Sequence, residues 1–142
     1  GLAPPKPVTA ESASFESREV AVDAQKLMAA DGIDFQVEFA LPEGFKLNPL
    51  LPVKYKVATE GKLVAADLQN VREEAVANGD GVKFKIPVTA KSGSGTLMVT
   101  LTYGYCREGK GGLCKIDTVT FKVPVELGAG DAKSVLLKAS PK

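Results

Sequence analysis

The chain has 142 residues, 44% of them hydrophobic, with 18 basic and 17 acidic side chains and no histidine, which suits one domain with an ordinary packed core. A formal charge of +1 with scattered Lys and Arg argues against a nucleic-acid partner, and the lack of any apolar stretch near ~18 residues argues against membrane insertion. Without His, the Ser-His-Asp and Cys-His nucleophile systems are excluded, and two cysteines make a poor zinc site, so neither metal nor cofactor is expected.

Residues 1–12, GLAPPKPVTAES, are rich in Pro and small side chains and read as an extended linker or tail. The chain begins without Met, as a processed product does. Residues 13–142 read as a single β domain. FESREVAV near 15–22 is a short strand candidate. In GIDFQVEFAL, Ile33, Phe35, Val37, Phe39 and Leu41 share one parity and Asp34, Gln36 and Glu38 the other, the period-two signature of a half-buried strand. VKYKV repeats it with Val53, Tyr55 and Val57 inward. Residues 62–77, KLVAADLQNVREEAVA, place Leu68, Val71 and Ala75 at helical spacing, so a short helix or an irregular excursion is expected there. VKFKIPV puts Val82, Phe84, Ile86 and Val88 inward and Pro87 outward, where a residue without an N–H belongs at a sheet edge or bulge. TLMVTLTYGY turns Leu97, Val99, Leu101, Tyr103 and Tyr105 inward. TVTFKVPVEL does the same with Val119, Phe121, Val123, Val125 and Leu127, leaving Pro124 outward, and SVLLKA near 134–139 is a further short candidate.

Gly-rich turns separate these runs: PEG at 42–44, NGDG at 78–81, KSGSG at 91–95, REGKGG at 107–112 and GAGD at 128–131. Seven or so short strands with this punctuation predict an all-β fold, an antiparallel immunoglobulin-like β-sandwich. Its expected core includes Phe35, Val37, Phe39, Tyr55, Phe84, Ile86, Val99, Leu101, Phe121 and Val123.

Cys106 and Cys114 are the two cysteines. Both fall on the outward parity of neighbouring strands joined by REGKGG, so a disulfide within one hairpin is expected, provided that no bulge intervenes at Gly104. Such a bridge closes nine residues, for which chain entropy gives about 2–3 kcal/mol. Three readings stand: a structural staple formed in an oxidising compartment, a working dithiol in which Cys106 and Cys114 are the catalytic pair, and two free thiols. The staple is preferred, and the chain is not expected to be an enzyme. Arg107, Lys110 and Lys115 favour a thiolate, while Glu108 and Asp117 oppose one.

LPEGFKLNPLLPVKYKV (41–57) together with YGYCREGKGGLCKIDTVTFKVPVEL (103–127) resembles the C-terminal β-domain of NHL-repeat proteins that also carry a thioredoxin-like domain. The match spans two segments, about 40 residues, and its YCRE-x5-C piece is the more specific. A fainter likeness is to the immunoglobulin-like N-terminal domain of the DsbD family, a periplasmic thiol–disulfide carrier; there only Cys106 and Cys114 correspond. The DsbD spacing is shorter, and its aromatic cap segment has no counterpart here. The first resemblance implies a non-enzymatic module of a larger protein, with a protein partner such as a thioredoxin-like or NHL-repeat domain of the same chain. The second implies thiol–disulfide exchange. An adhesion or ligand-binding sandwich is a further alternative. A periplasmic or secreted bacterial location is expected from the cysteine pair and the Pro-rich start.

Other features carry less. KSGSGT at 91–96 lacks the GK[ST] ending and following helix of a phosphate loop. Glu73–Glu74 and Glu16/Glu19 are expected as solvated surface carboxylates. Lys54, Lys56, Lys83 and Lys85 form a basic strip only if their strands are neighbours; otherwise they protect edges and aid solubility.

Overall fold

The structure, a computed structural model, describes residues 18–29, 32–61, 72–74, 76–78, 81–88, 92–107, 109 and 112–141. Among the described residues eleven strands follow in chain order: β1 (Arg18–Ala21), β2 (Gln25–Leu27), β3 (Gly32–Phe39), β4 (Phe45–Leu47), β5 (Lys54–Gly61), β6 (Arg72–Glu74), β7 (Val76–Asn78), β8 (Gly81–Pro87), β9 (Gly93–Arg107), β10 (Leu113–Leu127) and β11 (Ser134–Ala139). They form two sheets. The larger runs β1-β10-β9-β5-β6, with β2 also on β10 and β4 also on β9; the smaller runs β11-β3-β8-β7.

The fold is all-β, but the sheets are mixed rather than purely antiparallel. β1 and β2 run parallel to β10, and β11 runs parallel to β3. No turn joins these partners directly, and alternation of side chains carries no information about strand direction, so parity alone reads parallel and antiparallel neighbours alike.

The period-two pattern does place the core. β3 alternates buried and exposed residues along its length, and β9 and β10 bury their odd-numbered positions from Leu97 to Tyr105 and from Val119 to Leu127. The two sheets press these faces together: the Tyr55 ring stacks on Phe84 at 4.0 Å and Phe39 meets Tyr103 at 4.5 Å. One continuous cluster of buried residues draws on both sheets. Each of its large side chains contributes about 1.5–3 kcal/mol of burial. All ten expected core residues belong to it or pack against it; Tyr55 is half-buried rather than buried.

Both prolines fall where a missing N–H does least harm. Pro124 occupies the gap between the stretch of β10 paired with β1 (Val119–Lys122) and the stretch paired with β2 (Val125–Leu127). This break explains why the N-terminal strand is split. Pro87 lies beyond the residues of β8 that β7 pairs.

Several expectations need correction. The 62–77 segment ends in strand, not helix, at Arg72–Glu74 and within Val76–Asn78, while residues 62–71 lie outside the described residues. KSGSG is not simply a turn: Gly93, Ser94 and Gly95 already pair with Leu127, Glu126 and Val125, since small side chains and Gly do not prevent a strand whose partner is already in place. Residues 15–17 of the first strand candidate, and the 1–12 linker, lie outside the described residues. PEG and GAGD do turn, with Gly44 at φ 85° and Gly128 at φ 81°, backbone angles that glycine adopts without strain. Among the described residues no helix is long and apolar enough to cross a membrane.

Candidate functional site

The long β9–β10 hairpin sets the geometry of the cysteines. Its register is unbroken from Gly93↔Leu127 to Arg107↔Leu113, which puts Cys106 directly opposite Cys114. Their Cα atoms stand 4.1 Å apart and the sulfurs are bonded. Directly opposed cysteines on neighbouring antiparallel strands are within reach of a bridge without displacing backbone. The expected pairing and its outward face therefore hold. Cys106 is half-buried and Cys114 exposed.

No bulge occurs at Gly104; it pairs regularly with Ile116. Its lack of a side chain serves another purpose. Leu51 seats on it, so closely that a Cβ there would come 2.5 Å from the Leu51 Cδ2. The loop that delivers Leu51 follows β4 and is tied by Asn48: its N–H donates to the Gly104 carbonyl at 2.9 Å, its Oδ1 accepts from the Leu50 N–H at 3.0 Å, and its carbonyl accepts from the Leu51 N–H at 3.1 Å. Asn-Pro is a turn dipeptide whose side chain caps the following backbone. Leu50 is left 89% exposed.

β4 itself lies against the end of β9 on the side away from β10, with Lys46 opposite Cys106. Phe45 anchors it. Its ring meets Tyr105 edge-on at 5.3 Å, with Arg107 and Lys115 above at 5.7 and 5.9 Å, contacts of the aromatic and cation–π kind. Phe45–Leu51 of the first segment and Tyr103–Asp117 of the second thus meet at one end of the molecule, built from β4, its loop and the bridged end of the hairpin, while Val119–Leu127 runs on to the other end of β10.

The charges expected around the cysteines sort differently in space. Arg107 and Lys115 have core parity and gather at Phe45, on the opposite face from the bridge. Lys110 and Glu108 lie outside the described residues. Asp117 is engaged on the inward side: its carboxylate accepts a bifurcated contact from Arg18 Nη1, at 2.9 Å to each oxygen, and a hydrogen bond from the Tyr103 hydroxyl at 2.6 Å. Arg18 Nη2 also donates to the Ser140 carbonyl at 2.8 Å. One partly buried cluster therefore ties β1, β9 and β10 to the chain just after β11. Burial pushes the Tyr103 hydroxyl far above the ordinary tyrosine range, aided by its hydrogen bond to Asp117; burial also raises Tyr105.

Lys46 is the cation that sequence reasoning missed. It sits far from the cysteines along the chain, and only the pairing of β4 with β9 brings it to the cysteine face. Tyr103 and Tyr105 are buried inward, so neither covers the bridge. Ile116, 62% exposed, is an apolar side chain beside it on the same face, as is Leu51 over Gly104.

The remaining candidates do not converge. Tyr55 and Phe84 face each other across the core, so Lys54 and Lys56 point away from Lys83 and Lys85 on opposite outer faces and form no common strip. Glu19 is exposed on β1; Glu73 and Glu74 occupy register positions opposite Tyr55 and Lys54. Among the described residues no three His, Cys, Asp or Glu side chains gather to hold a metal. A depression of about 390 Å³ on the outer face of the smaller sheet is lined by Asp34, Gln36, Lys83, Lys85 and Ser134 among others, a wall of mixed charge. The sequence matches no family model and no curated protein.

Proposed function

We propose that the chain is an immunoglobulin-like β-sandwich acting as a non-enzymatic docking or assembly module of a larger extracytoplasmic protein, periplasmic or secreted, whose partner is a thioredoxin-like or NHL-repeat domain. The observation that carries this reading is the construction of the bridged end. The two segments that resemble the β-domain of NHL-repeat proteins are far apart in sequence, yet they pair as β4 and β9, and Leu50 and Ile116 remain exposed beside them. A partner at this end would cover Leu50 and Ile116, and a hairpin held by a bridge presents them at low entropic cost. The test is titration of the chain against the thioredoxin-like or NHL-repeat domain encoded in the same gene, followed by calorimetry. Binding that Leu50→Glu and Ile116→Glu each weaken by about tenfold or more is expected, a loss of the size seen at interface hot spots. Binding untouched by both substitutions, or none at all, counts against the module.

A second reading, a thiol–disulfide carrier using Cys106 and Cys114, draws support from the exposure of the bridge. Equilibration against a glutathione or dithiothreitol series separates it from the staple. A staple is expected below about −300 mV, and a carrier at thioredoxin-like values near −270 mV or above. The staple is the expected outcome; fast reduction by thioredoxin in the folded state reverses the preference.

A further inference from the structure

The two sulfurs of the bridge have different surroundings. Cys106 lies on β9, with β10 on one side and β4 on the other, and Lys46 of β4 stands directly opposite it on the same face. Cys114 lies on β10, whose other side is paired with β1 only from Val119 and with β2 only from Val125. Among the described residues no strand runs beside Leu113–Thr118. Cys114 is exposed where Cys106 is half-buried.

Displacement at a disulfide sulfur runs in line. The nucleophile enters from behind the attacked sulfur, opposite the sulfur that leaves. The bridge spans from β9 to β10 across the outer face. A nucleophile aimed at Cys106 Sγ must therefore come in over β4, while one aimed at Cys114 Sγ comes in over the side of β10 away from β9, where no strand lies among the described residues and Cys114 is exposed. Leaving-group stability points the same way, because Cys106 shares its face with its register partner Lys46, and a thiolate with a cation within reach leaves faster.

We propose that the bridge is opened at one sulfur: Cys114 Sγ is the electrophile and Cys106 the leaving thiolate. As a biological step this rests on the carrier reading above. The thiolate of a partner dithiol bonds to Cys114 Sγ while the Cys106–Cys114 bond breaks, and its electron pair stays on Cys106 Sγ, which then takes a proton from water. The partner's second thiol, deprotonated, attacks the partner sulfur of the mixed disulfide and releases Cys114 as a thiolate. The partner dithiol ends oxidised and both cysteines end reduced.

The test uses sulfite, which leaves a stable S-sulfonate on the attacked sulfur, with iodoacetamide present to alkylate the released thiolate. Trypsin cleaves after Arg107 and Lys110, so the two cysteines fall in separate peptides that mass spectrometry reads apart. For the folded chain, S-sulfonate on Cys114 with carbamidomethyl on Cys106 is expected in about tenfold or greater excess over the reverse product, access and leaving group both acting in that direction. In urea the preference should fall toward parity. Equal products from the folded chain, an excess of S-sulfonate on Cys106, or no cleavage on the timescale of the urea control each overturns the proposal. A strong Cys114 preference alongside slow reduction by thioredoxin leaves the asymmetry standing and removes the carrier reading alone.

Discussion

Truncating Phe121 to Ala is expected to lower the unfolding free energy by about 3–5 kcal/mol, the range for removing a buried aromatic ring. Phe121 is 2% exposed in the middle of β10, opposite Val99 of β9 on one side and Val20 of β1 on the other. Both neighbouring strands are held along their length by backbone pairing, so they cannot close in, and the vacated space stays as a cavity. Ile116 on the same strand offers the contrast. It is 62% exposed, and Ile116→Ala should fall within the small effects of surface changes, about 0.5 kcal/mol. Urea unfolding of the three proteins, with unchanged slopes, measures both differences. A loss below about 1 kcal/mol for Phe121→Ala contradicts the core assignment.

That Phe121 can be chosen from sequence at all reflects the strength of a period-two pattern. Phe35, Val37, Phe39, Val99, Leu101 and Val123 were legible for the same reason: each strand is long enough for alternation to be counted, and a one-residue slip would turn every apolar side chain to solvent. β2 and β4, with three residues each, carry no countable period, and neither was foreseen. The direction of β1 and β11 was equally illegible, because pairing between distant parts of a chain leaves no turn to read.

The candidate site divides along the same line. Cys106 and Cys114 could be placed on one face because both belong to one local hairpin whose register follows from its turn. Lys46 and Leu51 could not, because their proximity to the bridge depends on β4 crossing to the far side of β9. Gly104 shows how a correct local signal can be assigned to the wrong cause. A glycine in a strand marks either a bulge or a close approach, and only the position of Leu51 decides between them. The basic strip failed for lack of sheet membership. Lys54, Lys56, Lys83 and Lys85 share a parity pattern, but Tyr55 and Phe84 lie on facing sheets, so the lysines diverge.

Raising the pH above about 10, the ordinary tyrosine value, is expected to destabilise the fold through Tyr103. The hydroxyl is fully buried and donates at 2.6 Å to Asp117. Ionising it would place a second negative charge against that carboxylate on a side chain that is itself shut off from solvent. Burial is the largest cause of the upward shift and the Asp117 hydrogen bond the next, with Arg18 pulling the other way. The folded state thus holds the proton to a higher pH than the unfolded chain does. The stabilisation is fully present below the unfolded value and is lost as pH rises from there toward the folded one, at up to about 1.4 kcal/mol per pH unit for this single group. Tyr105, raised by burial in the same direction, steepens the decline. Tyr103→Phe isolates the effect. It forfeits the hydrogen bond, costing about 1 kcal/mol at neutral pH, but removes one titrating group, so its stability should fall less steeply above pH ~10. Every other group is common to both proteins and drops out of the difference. Urea unfolding across this range gives the two slopes. Parallel declines for wild type and Tyr103→Phe would show that the Tyr103 proton is not held by the fold, and with it the Tyr103–Asp117–Arg18 cluster would lose its place as the tie between β1, β9, β10 and the chain after β11.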